Sequence, residues 1–568
     1  MRPRLVAGVT VFFVLAAAVF VALLFGPGLL ASGTSTGEVQ TNVTSGNVIV
    51  LENAHQGTNS WKIPRGKAAT IQIQAYAGAT SVLPGQKLTF YVSTQKKGTT
   101  YSIDIYRLGW YAGFGGRLMA PEAYQTGQAQ GYYYAGNHLL VGCTSCHVDT
   151  TTGLVEANWR PSYTLTVPPA WTTGVYLAKF TDVNGWQTYV PFDVRGNSFS
   201  RYVAVTSDTT YAAYNKWGKY SLYEVDGTSV PGISEGSSSL VRGIEVSFDR
   251  PYLDGDGSGQ VLTYEANSIH WLERQGYDLS YISDVDLHED PSPLLHHRAY
   301  LSLGHDEYWT KEMRDGVERA RNKGVGLAFL GADAAAWQMR FEPDSAGTPD
   351  RTVVCYKVAT ANNDLGRDPF YGQDNTRLTA QWRDPVLARP ENALIGIMYS
   401  GLIHRQQGFP WRVSSQVNSP LLDGTDLRPG QNYGCDLVGY EWDRIFTNGS
   451  TPAGLQVLGK SYTLKEDNTT DFSNTTYYIA PSGAMVFATG SIYWTLSLDD
   501  YRYHTDTLCA GQSTEVPGMQ KLMANVMDAL ATHHAAHQQT FVPTSITFSA
   551  SVEVALYMVV DCSSLKRR

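Results

Sequence analysis

His305-Asp306-Glu307 puts a histidine and two acids side by side, within the stretch Gly304-His305-Asp306-Glu307-Tyr308-Trp309. Such a group can supply a metal ligand with a carboxylate behind it, or a general acid and base. The same residues also fit a helix start, with Asp306 or Thr310 as the cap and His305 as a turn residue. Upstream, Tyr211, Tyr214, Tyr220 and Tyr223 crowd into one short segment. A phenolate is a hard anionic oxygen donor suited to a ferric ion, and a bound metal depresses the tyrosine pKa from its usual value of about 10. Aromatic packing at a domain interface is the competing reading of the same residues.

Two further motifs carry chemistry of their own. Cys143-Thr144-Ser145-Cys146-His147 has the spacing of a c-type haem attachment, but it sits between β segments without a helical cytochrome pattern, which favours a disulfide over haem. Asp254, Asp256 and Ser258 followed by Gly259 and Glu265 match a calcium loop with oxygens at alternate positions and a closing glutamate. The helix that should enter that loop is missing, and a Gly/Asp-rich turn closed by Glu265 fits equally. No Gly-x-Ser-x-Gly elbow and no phosphate-binding glycine loop occurs, so serine-nucleophile and nucleotide chemistry find no support.

The elements that must hold these residues divide the chain in two. Over 48–197 apolar and polar residues alternate with period 2, as in Lys87-Leu88-Thr89-Phe90-Tyr91-Val92, and turns recur at the spacing of an immunoglobulin-like β-sandwich. From 201 to 537 short apolar strands (Tyr202 to Thr206, Leu279 to Ser283, Ala299 to Leu303, Val325 to Leu330) alternate with helical stripes (Glu265 to Gln275, Lys311 to Lys323). That alternation predicts an α/β doubly wound domain of flavodoxin or glutamine-amidotransferase type, closed by a helix from Pro517 to Thr532. Ligands of such sheets bind outside the carboxyl ends of the strands, which is where His305 to Trp309 and Gly331-Ala332-Asp333 would lie. The segment 369–460 reads as loop-rich.

Composition sets the outer limits. The chain has 568 residues, 43% hydrophobic and 17% charged, and is therefore folded; its net charge of -9, without a basic stripe, argues against nucleic acid as a partner. Thirty-five tyrosines and 54 glycines suit a β-rich exported protein. Arg2 and Arg4 precede an apolar run from Leu5 to about Leu30, so 1–33 reads as a signal peptide or an uncleaved signal anchor. Either leaves the body outside the membrane, secreted or anchored, with the membrane touched only by the N-terminal segment. A polar linker (34–47) follows, and 538–568 is a C-terminal tail. Six cysteines (Cys143, Cys146, Cys355, Cys435, Cys509 and Cys562) are disulfide candidates in that compartment.

Several short motifs in consistent order carry a family resemblance. Tyr211-Ala212-Ala213-Tyr214-Asn215, Ser221-Leu222-Tyr223, Ser247-Phe248-Asp249-Arg250-Pro251-Tyr252, Gly304-His305-Asp306-Glu307-Tyr308-Trp309, Phe329-Leu330-Gly331-Ala332-Asp333 and Gly439-Tyr440-Glu441-Trp442-Asp443 together resemble the large (beta) subunit of N,N-dimethylformamidase, over roughly 202–532. The resemblance implies a mononuclear iron amidohydrolase whose metal is held by two tyrosinates and a glutamate. Glu307 matches the glutamate; Tyr214 and Tyr223 match the tyrosines, with Tyr211 and Tyr252 as alternates; His305 pairs with a second glutamate at Glu441. The family often has asparagine where this chain has Asp333, so a carboxylate there would change the local charge. The expected activity is hydrolysis of the C–N bond of a small amide, assisted by a small partner subunit or a second copy of the chain. The rival expectation is a non-catalytic surface or extracellular binding protein that keeps the fold.

Overall fold

The computed structural model describes residues 46–532 except 197–198, 226–227, 230–240, 504 and 506. The signal or anchor segment, most of the linker, the tail and Cys562 lie outside the described residues. No described helix is long and apolar enough to cross a membrane.

The N-terminal third folds into two sheets around one core. Strands β1 (Ile73–Ala77), β3 (Lys87–Thr94) and β6 (Tyr163–Thr166) form the first, in the order β1-β3-β6. The second runs β2 (Ser81–Val82), β8 (Gln187–Val194), β7 (Gly174–Asp182), β4 (Thr100–Leu108), β5 (Gly116–Thr126). All pairings are antiparallel except that of β2 with β8. Period-2 alternation explains the packing: Leu88, Phe90 and Val92 of β3 face Ile103, Ile105, Phe180 and Phe192 from the other sheet.

The larger body is organised on a mixed seven-stranded sheet. Its strands are β9 (Tyr202–Thr206), β10 (Leu279–Ser283), β11 (Ala299–Leu303), β12 (Gly326–Leu330), β13 (Gln456–Leu464), β14 (Thr470–Ile479) and β15 (Met485–Ala488), in the order β10-β9-β11-β12-β15-β14-β13. Five are parallel, and β14 and β13 add antiparallel strands at one edge. Strands β9, β11 and β12 are buried on both faces, as their near-continuous apolar sequences lead one to expect. Helices α1 (Asp208–Tyr214), α2 (Ala266–Arg274), α3 (Lys311–Asn322) and α4 (Pro517–Thr532) lie along this body. Ile269 and Leu272 of α2 and Met523 and Met527 of α4 pack on one face with Ala204 and Leu301. Met313 and Val317 of α3 pack on the other with Val203 and Tyr300.

The doubly wound α/β domain expected from the sequence is not what forms. The molecule is mostly β-sheet with few helices, spread over many small sheets. The departure comes after β12, where a doubly wound fold would continue into a helix. Here the chain runs instead into Trp337–Glu342 and Thr352–Val354, which join Glu245–Ser247 and Tyr308–Thr310 in a four-stranded sheet. Two more antiparallel pairs follow, Met398–Leu402 with Glu441–Arg444 and Phe409–Arg412 with Asn432–Val438, both with register shifts. Short, bulged strands leave too brief an alternation to read, and a segment that looks like loop in sequence is sheet in the fold.

A buried ion pair ties the front sheets to the larger body. Arg107 on β4 meets Glu273 on α2 through two bonds of 2.7 and 2.8 Å, with both side chains fully buried. Tyr281 and Asn53 also donate to the Glu273 carboxylate, at 3.0 and 2.8 Å. Arg107→Met would strand that carboxylate in the interior and is expected to cost about 3–5 kcal/mol in urea unfolding, whereas Arg107→Met with Glu273→Leu should recover much of the loss.

Candidate metal and acid–base site

The carboxyl end of β11 delivers the first residues of the site. At Gly304 the chain adopts φ +61° beside Glu265, where an added Cβ would sit 2.7 Å from that side chain. The turn releases His305-Asp306-Glu307 before the short strand Tyr308–Thr310 begins. Asp306 accepts hydrogen bonds of 2.6 Å from both Ser302 and the Trp309 indole, and Thr310 accepts one from the Met313 N–H to cap α3. Capping is thus the work of Thr310, and His305 and Glu307 are left facing inward, 1% and 2% exposed.

Two phenols converge on Glu307. Tyr214, the last residue of α1, donates to Oε2 at 2.9 Å, and Tyr223 donates to Oε1 at 2.5 Å. Their rings stack at 4.3 Å, and Tyr308 donates in turn to the Tyr223 hydroxyl at 2.5 Å. Thr210 of α1 accepts from the Glu307 backbone N–H at 3.0 Å, so the helix is tied to the strand end it serves. Burial and the charge of Glu307 push both phenols well above their ordinary pKa. Glu307 itself is held below the usual carboxylate range: burial opposes this, but His305, Lys357 and the Tyr223 hydroxyl outweigh it.

On the other side of Glu307 lies a second cluster. His305 Nε2 is 3.1 Å from Glu441 Oε2 and 3.4 Å from Glu307 Oε2, at ion-pair distance but without hydrogen-bond alignment. Burial disfavours the imidazolium, yet the two carboxylates outweigh it and raise His305 to about 9. Glu441 arrives at the start of the strand Glu441–Arg444. Asp333, just past β12 with φ +54°, donates its backbone N–H to Asp443 at 2.8 Å. Ligand atoms of His305, Asp333 and Glu441 lie within 4.8 Å of one another, the one such cluster among the described residues. Asp333 Oδ1, Glu441 Oε2 and both His305 nitrogens are buried without hydrogen-bond partners. Burial, reinforced by Glu307, Glu441 and Asp443, pushes the Asp333 carboxyl well above its ordinary value.

The other residues named from sequence lie elsewhere. Tyr211 donates to Glu265, and Tyr252 packs edge-on against Tyr211 at 6.2 Å. Asp254, Asp256 and Glu265 form no three-ligand cluster: Glu265 also accepts from the Ser207 N–H at 3.1 Å, Asp256 accepts from Tyr503, and Ser258 donates to the Gly255 carbonyl at 2.8 Å. Cys143 is bonded to Cys146 and Cys435 to Cys509, while Cys355 is a buried thiol.

Sequence reasoning passed over Lys357. Its ammonium lies 3.5 Å from the Tyr223 ring centroid and 4.8 Å from that of Trp337, and burial lowers it to about 8 despite the pull of Glu307. The signal was available: Lys357 is the one charge in Val353-Val354-Cys355-Tyr356-Lys357-Val358.

Residues 102–507 match a family described as N,N-dimethylformamidase beta subunit-like, C-terminal. The N,N-dimethylformamidase beta subunit of Paracoccus aminophilus is 22% identical over 406 residues, 62% of this chain and 53% of that protein. Its counterpart from an Alcaligenes species is 23% identical over 407 residues, with 61% and 53% covered. The chain therefore spans about half the length of these curated relatives. A solved Paenibacillus cycloisomaltooligosaccharide glucanotransferase covers 54% of this chain and 36% of its own at 13% identity, but the TM-score of 0.14 leaves that likeness without weight. With the matched region taking in Tyr214, Tyr223, His305, Glu307 and Glu441, the chain belongs to the N,N-dimethylformamidase beta subunit-like family.

Proposed function

We propose that this protein hydrolyses the C–N bond of a small amide, with iron held by Tyr214, Tyr223 and Glu307. The observation that carries the reading is the convergence of two buried phenol oxygens on the two oxygens of one buried carboxylate. Two phenol oxygens, whose protons a metal would displace, and the carboxylate between them are hard oxygen donors that fit a ferric ion, and the unpartnered atoms of His305, Asp333 and Glu441 beside them fit a polar reactant. Iron bound there would supply Lewis acidity, polarising an amide carbonyl and acidifying a water.

The chain's own residues supply the proton transfers. Glu441, beside His305, takes the proton of the attacking water, and His305 Nε2 returns one to the departing nitrogen. Asp333, its carboxyl pushed up by burial and by the neighbouring carboxylates, is placed to hydrogen-bond the substrate oxygen. Asp333→Asn is accordingly expected to leave amide turnover within a few-fold of wild type, measured by steady-state kinetics.

Export and anchoring rest on the N-terminal arginines and apolar run, and a small partner subunit on the name the two curated relatives carry, beta subunit. Metal content is the decisive test. Protein purified with ferric iron should retain it stoichiometrically and be coloured by tyrosinate charge transfer, and Tyr214→Phe or Tyr223→Phe should weaken the colour. A colourless protein that takes up no iron would overturn the metal assignment, and an amide screen showing no cleavage by iron-loaded protein would overturn the hydrolase reading.

A further inference from the structure

The donors at the site fall into two sets. Both oxygens of Glu307 accept from phenols, Oε2 from Tyr214 and Oε1 from Tyr223, and these three side chains make up the iron set. His305, Asp333 and Glu441 stand beside them with atoms left over: both imidazole nitrogens, Asp333 Oδ1 and Glu441 Oε2 have no hydrogen-bond partner among the described residues. The three residues are 1%, 7% and 5% exposed, and buried polar atoms left unused are costly and uncommon in folded proteins. They face one another. One donor atom from each lies within 4.8 Å of the other two, and His305 Nε2 is 3.1 Å from Glu441 Oε2. Zinc takes imidazole and carboxylate donors at about 2.0–2.2 Å, which puts donors on one ion roughly 3–4 Å apart, so the trio closes on an ion with shifts of about an ångström or less.

The backbone holds the trio in place. The turn after β12 packs so closely on the turn after β11 that an added Cβ at Gly331 would fall 1.8 Å from the Gly304 carbonyl oxygen, and this contact sets Asp333 beside His305. The Asp333 N–H is fixed by the Asp443 carboxylate, and the Ala335 N–H by the Asp306 carbonyl at 2.7 Å. Glu441 comes from a paired strand, opposite Leu402. Rings of Tyr214, Tyr264 and Tyr440 enclose the imidazole, with centroids 5.3, 6.2 and 6.2 Å from its own. Donors fixed in this way by their supports are preset for an ion.

We propose that His305 Nε2 and one carboxylate oxygen each of Asp333 and Glu441 bind a zinc ion distinct from the iron, and that this ion switches hydrolysis off by occupying the acid–base pair. One imidazole and two carboxylates are all among the usual donors of zinc, and three protein ligands leave a fourth position for water. Two carboxylates also balance the charge of a dication in a buried place, where an unbalanced ion is expensive. The neighbouring carboxylates that favour protons on Asp333 and His305 favour a doubly charged cation more, so binding expels those protons. Inhibition rests on the hydrolase reading, whereas the zinc site does not.

The test begins with metal-free full-length protein titrated with Zn²⁺ in a calorimeter against a competing chelator. One equivalent should bind, and zinc-edge X-ray absorption should show a single imidazole with oxygen donors and no sulfur. Asp333→Asn and Glu441→Gln, both close in shape to the residues they replace, should each weaken binding at least about tenfold. Tyr214→Phe combined with Tyr223→Phe should keep it. In iron-loaded protein the same zinc should lower amide turnover at least about tenfold, and Asp333→Asn should need correspondingly more zinc for the same inhibition. No zinc uptake, uptake unchanged in both Asp333→Asn and Glu441→Gln, or uptake lost with the two phenols and kept in Asp333→Asn would overturn the site. Zinc bound as expected with turnover unaffected would overturn the inhibition. Zinc bound as expected to a protein that cleaves no amide when loaded with iron would leave the site standing and sink the hydrolase reading.

Discussion

If the proposed iron site is right, Glu307→Gln is expected to abolish stoichiometric iron binding and to lower amide hydrolysis by roughly three orders of magnitude or more, since the Lewis acid that Glu307 is proposed to help hold would be worth several kcal/mol of barrier. The substitution keeps the shape of the side chain and one carbonyl oxygen for Tyr214 or Tyr223, so the fold should survive. What it removes is the charge. Glu307 is the largest electrostatic influence raising both phenols, after burial, and it contributes to the raised His305. The metal-free variant should therefore ionise Tyr214 and Tyr223 at lower pH than metal-free wild type, readable as tyrosinate absorbance in an alkaline titration. Elemental analysis showing iron retained by Glu307→Gln would sink the ligand assignment, and unchanged phenol titration would sink the electrostatic account of the site.

The site was more legible than the fold that carries it. His305 and Glu307 were readable because they follow a mostly apolar, fully buried strand, Ala299 to Leu303, and such strand ends collect ligand-binding residues. Tyr214 and Tyr223 could be named only through the family resemblance. They stand nine positions apart on either side of a turn, at neither helical nor strand spacing, and meet only because α1 ends where the chain doubles back. Asp333 was visible as a residue but its raised carboxyl was not: that shift comes from burial and from Glu307, Glu441 and Asp443, which the sequence scatters over more than a hundred positions.

The fold class failed for a related reason. The strands and helices that periodicity places between Tyr202 and Leu330 form close to their expected bounds, while shorter elements such as Asp208–Tyr214 and Asp284–Glu289 go unread. Local patterning of that kind is set by burial on two faces of one sheet. The continuation is decided by long-range pairing. Between β12 and β15 the chain builds antiparallel pairs such as Met398–Leu402 with Glu441–Arg444, whose four or five residues and register shift give no period to detect. That same pair delivers Glu441 to His305, so the part of the fold that escaped the sequence pattern is the part that completes the proposed acid–base pair.

His305→Gln and Glu441→Gln test that pair directly, and each is expected to lower kcat by about 10²–10⁴, the usual range for losing a positioned acid or base. The pH profile separates their roles. His305 is raised to about 9 by Glu441 and Glu307 against the effect of burial, so it holds a proton at neutral pH and gives it up as pH climbs past that value. Wild-type activity should fall on the alkaline side near pH 9. Removing the Glu441 charge takes away the largest favourable influence on the imidazolium, and the residual activity of Glu441→Gln should lose its alkaline limb at least one pH unit lower. The stability linkage has the same sign: a histidine raised in the folded state contributes stability fully present below about pH 6.5, the unfolded value, and lost as pH rises through about 9. Thermal melts of metal-free wild type should decline over that window more steeply than those of His305→Gln. An alkaline limb that stays in place in Glu441→Gln would show that His305 draws its proton affinity from elsewhere, and the pairing of the two residues as acid and base would fall with it.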